Sequence, residues 1–506
     1  MRSLTEAKNF GAIDADNDQL LAATFEDHEA FLDLVAMERF LIIGKKGSGK
    51  TAIFKRMITA ADPEDPEVFS FGHTFSDYPW DHHERQARAE IPDFDKFTHS
   101  WKYLILMTAS KILLNYDQAL PFDDASMEAS EKLEGFVIDT YGSRDPDVTQ
   151  IFTPSKRLKL QPNIQFNAGV LKAGISPESV PMEYLPLVVQ DVNRNLLEYV
   201  LTCLHPEHRY YICFDQLDFG FDPADASYIN RLIGLLLACR DINIAAREAG
   251  KQLCVALFLR DDIYDTLQFE DKNKLTENFV SLIEWDTPRT NKSLKDLMEK
   301  RFRAVLSESP SEYVKWINVF DEAEEMPGRQ NKYQHILDRT YLRPRDIIKF
   351  INVVLANYKE RVFRTNATES KFSNLDVHAA RQAYSEYLNA ELDDEIFKHV
   401  PEYKRYLDLL RAIGAWQFET KKFVKVANER SDLSNGETPI SILEKLYNHS
   451  IVGFYKAGGR GYGGSEYVFR YKETRTKFDS TAIRFRVHHG LVEVLGLKRR
   501  IASAGD

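Results

Sequence analysis

The chain has 506 residues, 43% of them hydrophobic and 12% aromatic, which suffices for a substantial core and for two or three domains. Its formal net charge of −11 argues against a protein that coats nucleic acid over its whole surface. Residues 439–506 differ, with 12 Lys and Arg against 6 Asp and Glu. We therefore expect an acidic body with a basic C-terminal end.

The four cysteines, Cys203, Cys213, Cys239 and Cys254, lie in apolar contexts and have no metal-ligand spacing. This pattern is typical of buried thiols in a reducing compartment. The N-terminus has no apolar signal region, and the longest apolar run, 232–239, is too short to span a membrane. We expect a cytoplasmic protein with no membrane partner.

The most informative stretch is 44–51, which reads GKKGSGKT and fits the phosphate-loop pattern G-x-x-x-x-G-K-[ST]. A short apolar strand, 39–43, precedes it, and apolar residues at helical spacing follow it over 52–58. The alternative is a glycine-rich surface turn, which this strand–loop–helix context disfavours. The predicted nucleotide-binding residues are Gly44, Lys45, Lys46, Gly47, Ser48, Gly49, Lys50, Thr51 and Ala52.

The residue types of the loop suit ATP and Mg²⁺. Glycines allow the backbone to turn tightly and bring N–H groups close to phosphate oxygens, and the following helix presents its positive end. Lys50 is predicted to reach the β- and γ-phosphates, and the Thr51 hydroxyl to hold Mg²⁺.

Strands and helices alternate around this loop. Helices are predicted over 19–37, 96–114, 182–204 and 227–249, and strands over 68–71, 210–214, 253–259 and 280–285. Residues 116–180 lose clear periodicity and are interpreted as an insertion with small elements of its own. Strand–helix alternation favours a parallel sheet, so the fold class is α/β, a P-loop NTPase core of the additional-strand type.

The strand 210–214 ends in Asp215, where a carboxylate can bind the water shell of Mg²⁺. Many ATPases of this type have a glutamate next to that aspartate, to orient or deprotonate the attacking water, but here the position is Gln216. Asp218 is the substitute candidate. The alternative is that Asp218 caps the next turn. We expect hydrolysis to be slow if Asp218 is the base.

Two arginines are candidate phosphate sensors. Arg260 ends the strand 253–259, and guanidinium groups suit phosphate, although an ion pair with Asp261 or Asp262 is an equal alternative. Arg345 follows Pro344 in the first turn of a predicted helix, where a cation opposes the helix dipole. Asp346 offers a second explanation, because it can neutralise Arg345.

From residue 291 onward the pattern is helical, and it changes again near the C-terminus. Helices are predicted over 375–399, 403–418, 440–448 and 491–497, with strands over 466–471 and 482–487. This order indicates a winged helix, whose basic residues either contact DNA phosphates or form a solvated face. These residues are Arg460, Arg470, Lys472, Arg475, Arg484 and Arg486.

Together the motifs GKKGSGKT, ICFDQLD, ALFLRDD, YLRPRDIIKF and RVHHGLVEVLGL resemble bacterial FunZ-like P-loop ATPases, within the AAA+/STAND/KAP neighbourhood. The resemblance covers nearly the whole chain except 116–180. It implies a core at 1–289, a helical lid at 290–395 and a winged-helix domain at 396–506. By position it makes Lys50 and Thr51 the Walker A residues and Asp215 the Walker B residue.

The same resemblance assigns further residues. Arg260 resembles the sensor-1 arginine and Arg345 the sensor-2 arginine, while His488 falls where STAND proteins place a histidine that touches ADP. His489 occupies the usual aspartate position of that motif, so a core or surface histidine is the alternative for His488. Arg301 and Arg303 are arginine-finger candidates only through their place near the core–lid junction.

For function, the resemblance implies an ATP-hydrolysing switch that forms homo-oligomers and works with a partner effector in anti-phage defence or signalling. The alternative is a DNA-binding motor or loader that acts in genome maintenance through residues 440–500. The sequence contains no nuclease, protease or repeat module that would identify the effector.

Overall fold

A five-stranded parallel sheet organises the first half of the protein, as the computed structural model shows. The structure describes residues 1–59, 67–75, 93–152, 185–309, 311–366, 369–397, 399–434, 436–458, 464–473 and 476–498. By its contacts the chain divides into two compact units. We call 27–45 with 50–283 the parallel-sheet unit, and 1–26, 46–49 with 284–506 the helical unit.

The three central strands of the parallel sheet, Arg209–Asp215, Gln252–Arg260 and Leu41–Gly44, are almost entirely buried, because helices flank them and their sequences are apolar without polar alternation. Their spatial order is β2-β3-β4-β1-β5, so β4 separates the strand before the phosphate loop from the strand that ends in Asp215. That arrangement confirms the additional-strand core. The five strands are β1 (Leu41–Gly44), β2 (Val68–Thr74), β3 (Arg209–Asp215), β4 (Gln252–Arg260) and β5 (Val280–Leu282).

Long helices pack against this sheet and against each other. Trp101 is fully buried, and its Nε1–H donates to the carbonyl of Arg231 at 2.9 Å, which joins two of them. The helices of this unit are α2 (Glu29–Val35), α3 (Lys50–Thr59), α4 (Asp93–Asn115), α5 (Asp124–Tyr141), α6 (Val148–Phe152), α7 (Leu185–Cys203), α8 (Ala226–Glu248), α9 (Asp261–Thr266) and α10 (Lys272–Phe279), numbered after α1 (Leu21–Thr24) of the helical unit.

The segment 116–180, expected to hold only small elements, contains the 18-residue helix α5. Asp123 begins this helix with a capping box, and Gly142 ends it in the left-handed conformation at φ +76°. Its buried face includes Leu133, Phe136 and Val137. The helix escaped prediction because its buried face includes the polar Ser126 and Thr140, while the apolar Met127 and Ile138 are exposed, which obscures the helical periodicity. The part of the segment from 153 to 180 lies outside the described residues.

The helical unit begins with α1 and continues with helices that confirm the predicted helical character of the chain after residue 291. Pro344 occupies the first turn of the 22-residue α14, as predicted. The helices are α11 (Leu294–Leu306), α12 (Trp316–Val319), α13 (Lys332–Leu337), α14 (Pro344–Thr365), α15 (Asn374–Ile396), α16 (Tyr403–Ile413), α17 (Thr420–Glu429), α18 (Ser431–Ser434) and α19 (Pro439–Asn448).

The C-terminal part of this unit contains a four-stranded antiparallel sheet in the order β6-β9-β7-β8. Its strands are β6 (Gln417–Glu419), β7 (Val452–Lys456), β8 (Glu466–Val468) and β9 (Arg484–Val487). Two expectations for this region were wrong. The helix predicted over 403–418 ends at Ile413, because Gly414 adopts φ +71°. The helix predicted over 491–497 is a short 3-10 turn, His489–Leu491, followed by further turns.

No helix in the part of the chain that the structure describes is long and apolar enough to cross a membrane.

Candidate nucleotide-binding site

The phosphate loop leaves β1 at Gly44 and enters α3 at Lys50. Gly47 has φ +77° and Gly49 has φ +112°, conformations that L side chains rarely adopt, so the two glycines are required by the turn itself. Gly44 is paired opposite Arg260 in the register of β1 and β4. Ala52 lies in the first turn of α3, where backbone N–H groups have no intrahelical partner and favour an anion.

Lys50 folds back onto its own loop. Its Nζ donates to the carbonyl oxygens of Gly44 at 2.8 Å and Lys45 at 2.9 Å. Burial lowers the pKa of Lys50, and the charges of Asp218, Asp215 and Asp261 oppose that effect. The ammonium group is therefore held by two carbonyl oxygens among acidic neighbours, and it has to leave those oxygens to reach a phosphate.

Thr51 and Asp215 meet across the sheet edge. The Thr51 hydroxyl donates to the Asp215 carboxylate, which is 2% exposed. Burial raises the pKa of Asp215 to about 6, partly offset by the Thr51 hydroxyl, the Gln216 N–H and the Lys50 charge. Among the described residues, Oδ2 of Asp215 has no hydrogen-bond partner.

These two oxygen donors fit a magnesium ion. A buried, partly unsatisfied carboxylate beside a hydroxyl is a hard-oxygen donor set, and a dication would compensate the cost of keeping Asp215 charged. No group of three or more His, Cys, Asp or Glu side chains placed to hold a metal by protein ligands alone occurs among the described residues. A Mg²⁺ ion held by Thr51 and Asp215 would take its remaining ligands from water and phosphate.

Asp218 and Arg260 form an ion pair in the same unit. Nη1 of Arg260 lies 3.4 Å from Oδ2 of Asp218, and its Nε donates to Asp262 at 2.9 Å. Gln216, between the two acids, has φ +61°, which is uncommon for a residue with a side chain. The structural ion pair anticipated for Arg260 is therefore present, and it includes the candidate base Asp218, which the sequence did not indicate.

In the helical unit, three consecutive loop carbonyls accept hydrogen bonds. The Lys46 oxygen accepts from Nη1 of Arg343 at 2.9 Å, and the Ser48 oxygen from Nε1 of Trp285 at 2.9 Å. The Gly47 oxygen accepts from the backbone N–H of Arg345 at 3.4 Å. Arg343 and Trp285 were not identified from the sequence, because nothing local marks a side chain that binds a loop carbonyl hundreds of residues away.

Arg345, the predicted sensor arginine, packs over Gly47. Its Nη1 donates to Glu391 at 2.8 Å and its Nε to the Ile13 carbonyl at 3.3 Å. The suggestion that Asp346 neutralises Arg345 is wrong, because Asp346 is fully buried and ion-pairs with Arg343 at 2.9 Å. The sensor role of Arg345 stays a prediction.

His488, assigned to ADP contact by resemblance, lies in the core of the helical unit at 1% exposure. Its Nδ1 accepts from the Gly490 N–H, which leaves Nε2 to donate to the Thr340 carbonyl, both at 3.2 Å. Its ring stacks on Tyr341 with 4.4 Å between centroids. Burial lowers the pKa of His488 well below its usual value. This placement favours the alternative, a neutral core histidine.

The two arginine-finger candidates, Arg301 and Arg303, make contacts within the helical unit. Arg301 is 4% exposed, and its Nη2 donates to Asp18 at 2.6 Å while Nη1 donates to the Phe10 carbonyl at 3.0 Å. A side chain held in this way inside its own unit cannot reach a neighbouring subunit, so Arg301 is a structural residue. Arg303 lies 4.9 Å from the ring centre of Tyr313, in a cation–π contact.

The basic residues proposed for DNA contact are only partly available. Arg486 lies 3.8 Å from the ring centre of Tyr467 and 4.8 Å from that of Trp416, and Lys472 pairs with Asp338 at 3.7 Å. Arg484 is exposed and lies 6.0 Å from the ring centre of Tyr455. Arg470 is described, whereas Arg460 and Arg475 lie outside the described residues.

The sheet order, the loop and the Thr51–Asp215 pair together define a P-loop nucleotide-binding protein of the additional-strand class. Residues 292–393 match the family model described as the FunZ-associated C-terminal helical domain, which confirms the resemblance to FunZ-like proteins over that segment. No curated protein matches the chain.

Two solved structures are similar at low identity. A Walker-type ATPase of Pyrococcus abyssi is 12% identical, with 93% of this chain and 99% of that one covered at a TM-score of 0.36. Cdc6p from Pyrobaculum aerophilum is 11% identical, with 92% and 90% covered at a TM-score of 0.28. At these TM-scores neither likeness carries an argument about the activity of this chain.

Proposed function

We propose that this protein binds and hydrolyses ATP and that the nucleotide state sets its conformation. The placement of the Thr51 hydroxyl beside the buried Asp215 carboxylate is the observation that carries the proposal. It joins the hydroxyl that ends the phosphate loop to the acid that ends β3, the two groups that a Mg²⁺–ATP complex requires side by side. A purely structural glycine turn would not need a buried, half-satisfied acid next to it.

Each residue then has a role in the reaction. Loop N–H groups and Lys50 bind the phosphates, while Thr51 and Asp215 would hold the Mg²⁺, which supplies charge neutralisation on the phosphate oxygens. Asp218 orients the attacking water, and Arg260 holds the Asp218 carboxylate in place and stabilises developing negative charge. Because Gln216 replaces the usual glutamate, we expect slow turnover.

Lys50→Ala tests the site directly. We expect the variant to lose ATP binding at millimolar nucleotide, because the loop loses its cation and cannot offset phosphate repulsion. Lys55→Ala, one turn further along α3, is the matched control and should bind like the wild type. Equal ATP affinity in the Lys50 and Lys55 variants would refute the assignment.

The nucleotide cycle is proposed to drive a switch between assembly states, in anti-phage defence or signalling through a partner effector. The FunZ-associated match and the direct contacts of Arg343 and Arg345 with the loop backbone support this proposal. Native mass spectrometry with and without ATP should reveal a nucleotide-dependent oligomer. An unchanged monomer in both states would argue against assembly as the output.

DNA binding through 440–500 is the second candidate, supported by the positive balance of the C-terminal end and by exposed Arg484. The order helix–strand–helix–helix–helix–strand–strand from α16 to β8 suits a winged helix, which supports the same proposal. Arg484→Ala should weaken salt-sensitive DNA binding if this surface is used. Binding that Arg484→Ala leaves unchanged would place any DNA contact elsewhere.

A further inference from the structure

Three acids on α15 face the cations around the phosphate loop. Glu391, Asp394 and Glu395 are spaced three and four residues apart, so they share one face of the helix. Glu391 pairs with Arg345 at 2.8 Å, and Glu395 with Arg343 at 2.7 Å. We call these three acids the acidic latch.

The latch also reaches the loop itself. Nζ of Lys46 lies 3.8 Å from Glu391 and 3.8 Å from Asp394. Lys46 and Arg345 are thus bound to one carboxylate, that of Glu391, which is only 16% exposed. Two cations next to a phosphate loop are the groups that an ATP phosphate would attract, and both are already neutralised by the protein.

The contacts of Arg343 are fixed, whereas the contact of Arg345 with Glu391 can be exchanged for a phosphate oxygen. Arg343 is 3% exposed and forms an ion pair with the fully buried Asp346. Its guanidinium therefore stays in place even if its contact with Glu395 is lost. Among the residues that the structure describes, the guanidinium of Arg345 contacts the partly exposed Glu391 and the Ile13 carbonyl, and no fully buried acid. A phosphate oxygen can replace Glu391 at Arg345 and Lys46 without leaving a buried charge unpaired, because the Glu391 carboxylate is partly exposed and water can reach it.

A neighbouring hydroxyl supports the exchange. The Tyr387 hydroxyl oxygen is buried and has no hydrogen-bond partner among the described residues. Its ring lies one helical turn before Glu391, and the charges of both Glu391 and Arg345 act on it. An incoming phosphate oxygen would offer this hydroxyl an acceptor.

We propose that the acidic latch competes with ATP, an inference that rests on the proposed function. The Glu391 carboxylate pairs with Arg345 and Lys46 until a nucleotide phosphate displaces it. The latch therefore lowers nucleotide affinity and couples nucleotide binding to the position of α15 relative to the loop residues 46–49. The apparent affinity for a ligand falls whenever the binding-competent state is only partly populated, and removing the competitor restores that affinity.

Glu391→Gln in the full chain tests the proposal, with ATPγS binding measured by calorimetry in Mg²⁺. We expect affinity to rise about 5- to 10-fold over the wild type, in the range of typical coupling between sites. Glu386→Gln, an exposed acid on the same helix, is the matched control and should leave affinity unchanged. In an Arg345→Ala background the gain from Glu391→Gln should shrink, because one of its two cations is gone.

The outcomes distinguish a failure of the latch proposal from a failure of the proposed nucleotide-binding function. If the wild type binds and Lys50→Ala does not, while a folded Glu391→Gln binds equally or more weakly, the latch is refuted and the nucleotide site stands. If Lys50→Ala binds like the wild type, or if neither the wild type nor any variant binds, both proposals fall. Should Glu391→Gln not fold, Asp394→Asn replaces it: Asp394 is 73% exposed, and its removal should raise affinity about twofold through Lys46. No gain there would refute the latch.

Discussion

Arg260 and Asp218 form an ion pair of 3.4 Å between the end of β4 and the turn after β3, although 42 residues separate them. The candidate sensor arginine and the candidate base are therefore bound to each other. Asp262 holds the same guanidinium from the other side. The pairing explains how a chain with Gln216 in the glutamate position can still present a fixed carboxylate beside Lys50.

Asp218→Asn should leave ATP binding within about twofold of the wild type and lower kcat at least tenfold, since general-base or water-positioning groups contribute about 10²–10⁴-fold. Steady-state ATPase assays together with binding measurements check this. Asp222→Asn, an exposed acid four residues away, is the control and should retain activity. Normal turnover in Asp218→Asn would move the catalytic role to another group.

Thr51→Ala should make ATP affinity nearly independent of Mg²⁺, because the hydroxyl partner of Asp215 and of the ion is lost. The wild type should lose affinity when EDTA removes Mg²⁺. Thr59→Ala, at the other end of α3, where the hydroxyl bonds the Lys55 carbonyl at 2.5 Å, is the matched control. A Mg²⁺ dependence that survives in Thr51→Ala would exclude Thr51 as a ligand.

His73 should make the protein sensitive to acid. Its ring is buried, hydrogen-bonds Thr108 at 2.9 Å and stacks on Phe214, and burial lowers its pKa from 6.5 to about 3. The folded state therefore excludes a proton that the unfolded chain accepts below pH 6.5. Stability is complete above that pH and falls by about 2 kcal/mol by pH 5.

Thermal melts at pH 7.5 and 5.0 measure this effect. The Tm of the wild type should fall over that interval by more than the Tm of His73→Gln, which removes the titrating group while keeping a hydrogen-bonding side chain. Equal losses in the two proteins would show that other groups cause the acid sensitivity.

Gly11→Ala should destabilise the helical unit by about 3–5 kcal/mol, a range set by disrupted buried ion pairs. Gly11 has φ +110°, and an added Cβ would lie 1.9 Å from Nη1 of Arg301 and 2.8 Å from the Asp18 carboxylate. The clash forces apart the buried Arg301–Asp18 pair. Gly328→Ala measures the cost of the positive φ alone, because Gly328 has φ +93° and an added Cβ there would meet no other atom. Equal Tm losses in both variants would mean that the ion pair tolerates the methyl group.

The sequence by itself determined the local parts of the site. GKKGSGKT, the apolar strand before it and the strand that ends in Asp215 are contiguous patterns, and their physical requirements are met within a few residues. Every predicted strand of the parallel sheet is present. For β1, β3 and β4 the reason is that a strand buried on both faces has to be continuously apolar.

Only the tertiary structure decided which distant groups meet. The Lys46 carbonyl accepts a hydrogen bond from Arg343, and the Lys46 ammonium group pairs with Glu391 and Asp394. Arg301 pairs with Asp18. Packing in three dimensions, rather than spacing along the chain, selects these contacts. The core position of His488 and the short strands β6 and β7 were likewise set by neighbours from other segments. Ion pairs, burial and the pairing of short strands depend on residues that are distant in sequence. A phosphate loop depends on residues that are adjacent in sequence.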